Sequence, residues 1–224
     1  MLGVTSLDTV IQVSKWILNT LFHQFVAVIF IYSIWIAIEK YSNPFSWHVI
    51  LSTLGLMPFT VEALILFSND NVWSQEISRK QKYWIHGILI FIGSFFIITG
   101  IALEIDNRVK LGVSHFTSAH SITGLIAMIF VIFALICGPM AFSTSIVTRW
   151  VSSQWLKLIH NILGQLTHIL LLISLCLGFY TDWFSSNTSK SSRIAATIVT
   201  VLIMLWSLFC AWISLFKQIK TILR

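Results

Sequence analysis

Charged residues are scarce in this chain. Only 10% of its 224 residues are Asp, Glu, Lys or Arg, whereas 57% are hydrophobic. Because a soluble domain usually carries about a quarter charged residues, this composition excludes a water-soluble globular protein. Cysteine is scarce too, and the three that are present lie within apolar runs, at Cys137, Cys176 and Cys210. Their positions predict neither a disulfide framework nor a zinc knuckle.

The hydrophobic residues are concentrated in six long runs. These cover residues 16–38, 47–67, 84–103, 120–142, 159–181 and 194–216. Each run is close to the roughly 20 residues that a helix needs to cross a bilayer core of ~30 Å, and lipid offers no partner to open backbone groups. The sequence therefore predicts an all-α membrane protein in the lipid bilayer, a single domain over 1–224 with six transmembrane helices.

The basic residues predict an orientation rather than a nucleic-acid site. The net charge is +6, but the 14 Lys and Arg are spread over short connectors and form no basic stripe. Six helices place both termini on one side, where nine basic residues lie, against five on the other side. By the positive-inside rule we expect both termini in the cytosol, with the glycosylation sequon at Asn187 outside.

Four of the seven histidines lie at the beginnings of apolar runs. His48 and His120 begin helices that run from outside to inside, so both are expected near the outer face. His86 and His160 begin helices that run the other way, so both are expected near the inner face. Ionisable residues inside membrane spans are costly and usually functional, and these four form one pair at each level.

A pair of imidazoles at each level is typical of a membrane protein with two haems. Two histidines facing each other across a bundle supply both axial ligands of a haem iron, whereas a tetrahedral zinc site needs three or four ligands in one place. The expected ligands are His48 and His120 for an outer haem and His86 and His160 for an inner haem. Since no C-x-x-C-H motif is present, we expect both haems to be held non-covalently.

A glycine follows each of these four histidines by four or seven residues, at Gly124, Gly164, Gly55 and Gly93. Offsets of four and seven stay on one face of a helix. We therefore expect these glycines to leave room for a porphyrin beside each ligand. Glycine is also common in membrane helices for packing alone.

Three further polar residues lie within apolar runs. His23 and His168 have no partner at a matched level, and we expect them to serve packing or hydrogen bonding. Glu62 lies near the inner end of the second run and needs a partner, which we expect to be a Lys or Arg from a connector. A structural ion pair and a proton-handling role both remain open for this carboxylate.

Basic residues surround the expected inner mouth of the bundle, at Arg79, Lys80, Lys82, Arg149 and Lys157. They could hold an anionic electron donor, or they could serve only the positive-inside rule. At the outer mouth, His115 and Lys110 precede His120 closely. His115 could bind a substrate or relay a proton, and a simple surface histidine is the alternative.

Several short stretches occur in a defined order between Phe45 and Gly178. They are Phe45-Ser46-Trp47-His48; Glu62-Ala63-Leu64 with Phe67-Ser68; Ser78-Arg79-Lys80 before His86; Leu111-Gly112 with His115 and His120; Arg149-Trp150; and Lys157-Leu158 with His160 and Gly164. In order and spacing together, these residues resemble the cytochrome b561 family.

This resemblance implies a fold, an activity and partners. It implies six helices, with two b haems held by four histidines of the middle four helices. It implies an ascorbate-dependent transmembrane reductase, in which cytosolic ascorbate supplies electrons that reduce monodehydroascorbate or a ferric chelate on the lumenal side. It also implies a homodimer in endoplasmic reticulum or vesicle membranes, ascorbate binding at Lys80 and Lys82, and an outer substrate site at His115.

Two other functions fit the same residues. A di-haem subunit that oxidises quinol within a larger complex would share the four ligands but would need a quinone pocket. A haem-free membrane scaffold or transporter would use the histidines for packing or for an ion pathway. Haem absorbance and its response to ascorbate distinguish the three hypotheses.

Overall fold

The computed structural model describes residues 6–142 and 152–223. Its helices are α1 (Ser6–Glu39), α2 (Phe45–Ile65), α3 (Arg79–Leu111), α4 (Ala119–Phe142), α5 (Ser153–Gly178), the short α6 (Asp182–Asn187) and α7 (Lys190–Ile222), with a 3₁₀ turn at Val72–Ser74. All except α6 are long and apolar enough to cross a membrane. The predicted all-α fold with six spans is therefore confirmed.

The helices extend beyond the apolar runs that marked them. α1 begins at Ser6 rather than at residue 16, and α3 covers Arg79–Leu111 rather than 84–103. A hydrophobic run marks only the part of a helix that lies in hydrocarbon, whereas charged residues continue the same helices into water. The ends of α3 follow local rules: Ser78 and Gln81 form a capping box, and Gly112 ends the helix at φ 64°.

The helix directions give the bundle two ends. We call "inner" the end where α1 begins and α7 ends, and "outer" the opposite end. α2 and α4 begin at the outer end, whereas α3 and α5 begin at the inner end. Many large apolar side chains face outwards, among them Trp35 (65% exposed), Phe91 (68%) and Phe216 (69%). Apolar side chains on the outside of a helical bundle are what an integral membrane protein presents to lipid.

The four central helices form two close pairs, α2 with α3 and α4 with α5. In the first pair, a Cβ added at Gly93 would lie 2.7 Å from the Gly55 carbonyl oxygen, and one added at Gly100 would lie 2.7 Å from Ser52 Oγ. The backbones therefore approach each other as small residues allow in membrane helices. α1 packs on α2 and α7, and α7 packs on α5, so the outer helices close the bundle beside the two pairs.

α2 is interrupted at its centre by a π-helical segment, Gly55–Val61, that contains Pro58. Proline has no N–H to donate and crowds the preceding turn, and a π-helical turn inserts one extra residue into an α-helix. Thr60 Oγ1 donates to the Gly55 carbonyl at 2.9 Å. A carbonyl at the start of the irregular turn is thereby satisfied within the helix.

Candidate functional site

The four histidines at helix beginnings form two pairs inside the bundle. The ring centroids of His48 on α2 and His120 on α4 are 6.0 Å apart, at an interplanar angle of 76°. Those of His86 on α3 and His160 on α5 are 6.2 Å apart, at 89°. Each pair bridges the α2–α3 unit and the α4–α5 unit. The structure thus brings the four residues together in the pairings expected from the sequence.

The Nδ1 atoms of these histidines point at backbone carbonyls of the neighbouring helix. Nδ1 of His48 donates to the Gly100 carbonyl at 3.0 Å, and Nδ1 of His86 donates to the Ala63 carbonyl at 3.0 Å. Nδ1 of His120 donates to the Ser174 carbonyl at 2.8 Å. A metal-binding imidazole usually donates its second nitrogen in this way, which fixes its tautomer and orientation. The proton is therefore held on Nδ1, and Nε2 is left with a lone pair.

His160 is the exception. Its ring interacts with the backbone of Ala134, but among the described residues its buried Nδ1 has no partner at ordinary hydrogen-bond geometry. Ala134 occupies on α4 the position that corresponds to Ser174 on α5. The contact therefore corresponds to the same exchange between helices, outside ordinary hydrogen-bond geometry.

This exchange is reciprocal within each helix pair, because each helix carries both a histidine and a carbonyl that faces the histidine of its neighbour. We call the interval between the two the histidine-to-carbonyl step. The step has the same length in three helices: His86 to Gly100 in α3, His120 to Ala134 in α4 and His160 to Ser174 in α5. It amounts to about 3.9 turns and about 21 Å of α-helix. Each helix therefore presents its histidine and its carbonyl on one face, at two levels of the membrane.

α2 differs from the other three helices. Its histidine-to-carbonyl step runs from His48 to Ala63 and is one residue longer, and the π-helical segment Gly55–Val61 lies within it. One additional residue in a regular α-helix would rotate the carbonyl by about 100° away from the histidine face. The π-helical turn absorbs that residue, so α2 serves the outer pair with His48 and the inner pair with the Ala63 carbonyl.

The geometry of both pairs fits bis-histidine ligation of a haem iron. A metal–imidazole bond is about 2 Å long, so one metal between two imidazole nitrogens separates the ring centres by about 6 Å. No hydrogen bond is formed by Nε2 of these four histidines in the described ranges. Within the same ranges no three His, Cys, Asp or Glu residues come together as a metal site. Two nitrogens at each level suit a haem, which supplies its own equatorial ligands.

Comparison with known proteins agrees with this geometry. The model of the family described as eukaryotic cytochrome b561 matches residues 47–185, which include all four paired histidines. The chain belongs to the cytochrome b561 family. The family implies haem b as the cofactor, and the residues at both levels fit that group.

Individual relatives agree with the family match. Transmembrane reductase CYB561D2 of Mus musculus is 28% identical over 161 residues, which is 72% of each chain. The protein of the same name from Homo sapiens is also 28% identical over 161 residues, again 72% of each chain. Probable transmembrane reductase CYB561D1 of Mus musculus is 24% identical over 143 residues, which cover 64% of this chain and 62% of that protein. Together with its spans, these similarities make the chain a transmembrane oxidoreductase.

Three of the four glycines expected to make room for porphyrin do something else. Gly55 and Gly93 meet each other across the α2–α3 contact, and a Cβ at Gly124 would lie 3.2 Å from Ser174 Oγ in the α4–α5 contact. That expectation was wrong for these three, because their helix faces point towards the paired helix. Of the four, Gly164 alone has no atom within 4 Å of an added Cβ, as the expectation required.

Two other glycines contact the paired histidines and were missed in the sequence. A Cβ at Gly178 would lie 3.2 Å from Cε1 of His120, and one at Gly138 would lie 3.4 Å from Cε1 of His160. Each lies four residues after the carbonyl position that its histidine faces. The constant histidine-to-carbonyl step, combined with a glycine four residues later, is a signal by which the sequence could have identified them.

Glu62 is paired with a histidine rather than with a connector Lys or Arg. His23 Nδ1 lies 2.7 Å from Glu62 Oε1, and Trp73 Nε1 donates to Glu62 Oε2 at 3.1 Å. The expected basic partner was therefore wrong. α1 passes beside the end of α2, and the loop after α2 folds back over the carboxylate, so the neighbouring lysine, Lys15, pairs with Asp70 instead, at 3.5 Å. The expectation that His23 forms hydrogen bonds is confirmed.

His168 is fully buried between α5 and α7, where its Nε2 and Ser207 Oγ are 2.8 Å apart. This contact confirms that His168 serves hydrogen bonding within the packed helices. It lies apart from both histidine pairs and offers them no third ligand.

Basic side chains without acidic partners line the inner end near His86 and His160. Lys80, Lys82 and Lys157 form no ion pair in the described part of the chain, and Arg79 Nε donates to Tyr83 Oη at 3.0 Å. Lys80 and Lys157 are exposed, whereas Lys82 is half-buried. The fifth residue expected at this mouth, Arg149, lies outside the described residues.

The outer end presents a different arrangement. Lys110 is helical rather than in a connector and forms an ion pair with Asp106 one turn earlier. His115 lies in the α3–α4 connection, half-buried, with its ring 6.0 Å from that of Phe116. Its buried Nδ1 has no hydrogen-bond partner among residues 6–142 and 152–223. Of the two residues expected to form an outer substrate site, Lys110 is therefore held in an ion pair, whereas His115 has a ring nitrogen without a partner among the described residues.

Proposed function

We propose that this protein carries electrons through two haem b groups from ascorbate at the inner end to monodehydroascorbate or a ferric chelate at the outer end. The observation that carries the proposal is the repeated site: two imidazole pairs, with ring centroids 6.0 and 6.2 Å apart, at two levels of one bundle. The relatives are named transmembrane reductases, which supports the proposal that electrons cross the membrane.

The chain's own residues hold and orient the cofactors. His48 and His120 would bind the outer haem, and His86 and His160 the inner one. When bound, haem supplies one-electron redox chemistry. The carbonyls of Gly100, Ala63 and Ser174 hold the Nδ1 protons of the ligands, and this hydrogen bonding raises the basicity of the coordinating nitrogens.

Anion binding at the inner end is the protein's contribution to donor specificity. Ascorbate is an anion at neutral pH, and lysines free of acidic partners attract such a donor better than paired ones do. Lys80, Lys82 and Lys157 meet this condition in the described chain, and the proposal assigns Arg79 and Arg149 to the same mouth. At the outer end we assign His115 to acceptor binding, with Lys110 beside it.

The resemblance to cytochrome b561 proteins supports the remaining parts of the proposal. We propose that both termini lie in the cytosol, which agrees with the excess of Lys and Arg on the inner side. We also propose that the protein is a homodimer in the membrane of the endoplasmic reticulum or of cytoplasmic vesicles. The mass of the purified detergent complex tests the dimer, and a tag at either terminus, probed in intact vesicles, tests the orientation.

Absorbance spectra of the purified protein test the central proposal. Haem is supplied during expression, and spectra are recorded oxidised, after ascorbate and after dithionite. We expect about two b-type haems per chain, partly reduced by ascorbate alone. Haem that ascorbate does not reduce would favour the hypothesis of a quinol-oxidising subunit. A folded preparation without haem would favour the hypothesis of a haem-free scaffold or transporter.

A lysine variant tests the donor site. Lys80→Ala should raise the ascorbate concentration needed for half-maximal haem reduction by several-fold, since a contact between an exposed lysine and an anion contributes up to about 1 kcal/mol. Reduction by uncharged dithiothreitol should not change. Lys220→Ala, at the same end but on α7, is the matched control. Equal ascorbate dependence in both variants would exclude Lys80 from the donor site.

A further inference from the structure

The polar cluster beneath the inner histidine pair contains a titratable group that the proposed electron path does not use. His23 lies between two oxygen atoms: Glu62 Oε1 is 2.7 Å from Nδ1, and Asn71 Oδ1 is 3.2 Å from Nε2. The Asn71 amide is oriented by its Nδ2, which donates to the Ile65 carbonyl at 3.4 Å. Both ring nitrogens of His23 therefore face acceptors.

This geometry suits an imidazole that gains a second proton. A neutral imidazole donates from one nitrogen only, so one of its two contacts would bring a lone pair against an oxygen. With a second proton, both nitrogens donate, and the positive ring lies against the Glu62 carboxylate. A lysine or arginine here would remain charged, whereas histidine exchanges its proton near neutral pH. The pair can therefore hold one exchangeable proton.

The pair is also connected to the inner ligands and to the inner end. Glu62 immediately precedes Ala63, whose carbonyl accepts the His86 Nδ1 proton at 3.0 Å. His23 and Glu62 side chains retain 24% and 17% exposure, and Trp73, which donates to Glu62, lies in the α2–α3 connection at the inner end. A proton can thus reach the pair from the side on which the electron enters.

We propose that the His23–Glu62 pair takes up one proton when the inner haem site gains one electron. This inference rests on the proposed function for the identity of the inner site. The electron comes from an enediol reductant of the ascorbate class, and the proton from water at the inner end. An N–H bond forms on His23, so the added negative charge is balanced inside the bundle, and the bond breaks again when the electron leaves.

Other charged groups around the cluster do not take this role. Lys15 of α1 and Asp70 of the α2–α3 connection neutralise each other at 3.5 Å. From α7, Cys210 approaches Ser68 and Asp70 rather than the histidine. From α3, His86 is occupied by the Ala63 carbonyl. The imidazole of His23 is therefore the titratable group that the Glu62 carboxylate contacts directly.

Spectroelectrochemistry of the haem-loaded protein tests the proposal without ascorbate. The midpoint potential of each haem is measured from about pH 5 to 8, where histidine titrates, and the inner component is identified as the one lost in His86→Ala. In the wild type, the midpoint potential of the inner haem should fall as the pH rises, with a slope that approaches the value for one proton per electron. Indicator dye in weakly buffered detergent should record the same proton uptake.

Variants locate the proton. Glu62→Gln and His23→Gln should each remove most of the inner slope and leave the outer haem unchanged, with both haem signals reporting an intact fold. His168→Gln, at a buried histidine bound to Ser207, should retain the wild-type slope. A wild-type inner potential that does not vary with pH would overturn the proposal, as would an unchanged slope in Glu62→Gln. Because electrons come from an electrode, a failure of ascorbate to reduce the protein would refute the proposed donor alone.

Discussion

Deleting Pro58 is the sharpest test of how α2 serves both histidine pairs. In the native chain, the step from His48 to Ala63 is one residue longer than the corresponding step in α4, from His120 to Ala134, and the π-helical segment around Pro58 absorbs the difference. The deletion makes the two steps equal. A regular helix should then place the ligand and the carbonyl on one face, about 3.9 turns apart.

We therefore expect deletion of Pro58 to preserve both haems. Residues before the segment keep their contacts with the outer half of the bundle, and residues after it keep theirs with the inner half. Only the side chains of the segment itself, such as the buried Met57 and Val61, change their surroundings. The expected result is about two haems per chain, with a modest loss of stability of about 1–3 kcal/mol.

Deletion of Met128 is the matched control. It lies in α4 between His120 and Ala134, in a regular helix with no residue to spare. Removing it shortens the histidine-to-carbonyl step of α4 by one residue and should rotate one half of the helix by about 100° and shift it by about 1.5 Å. Either His120 then turns away from His48, or the Ala134 carbonyl turns away from His160.

Haem per chain, measured from reduced-minus-oxidised absorbance, distinguishes the two deletions. We expect the Pro58 deletion to keep the wild-type ratio and the Met128 deletion to lose at least half of it. If both deletions lose haem to the same extent, the π-helical segment does not absorb the additional residue, and the register argument for α2 is wrong.

Two further predictions follow from the same contacts. His86→Ala should remove one haem and leave the outer one, whereas His168→Ala should keep both; haem content after purification checks this, and loss in both variants would contradict the ligand assignment. Gly93→Ala places a Cβ 2.7 Å from the Gly55 carbonyl and should destabilise the protein by about 1–3 kcal/mol. Gly87→Ala on the same helix, with nothing within 4 Å of its Cβ, is the control, and equal melting temperatures in detergent would refute the close approach.

The sequence determined the spans and the levels of the histidines. Apolar runs long enough to cross a bilayer give the number of helices, and that number gives their alternating directions. A histidine at the beginning of a helix therefore lies near the face where the helix begins, as His48 and His86 do at opposite ends. Neither conclusion requires knowledge of which helices are neighbours.

The face by which each helix meets its partner became known only from the packing of the helices. A membrane helix that is apolar on all sides carries little signal of its rotation about its axis, so Gly55 and Gly124 were assigned to the wrong face. The pairing of His23 with Glu62 and the exchange of carbonyls between helices depend on contacts between segments distant in the sequence. The additional residue of α2 becomes apparent only from the carbonyl that accepts the hydrogen bond of His86.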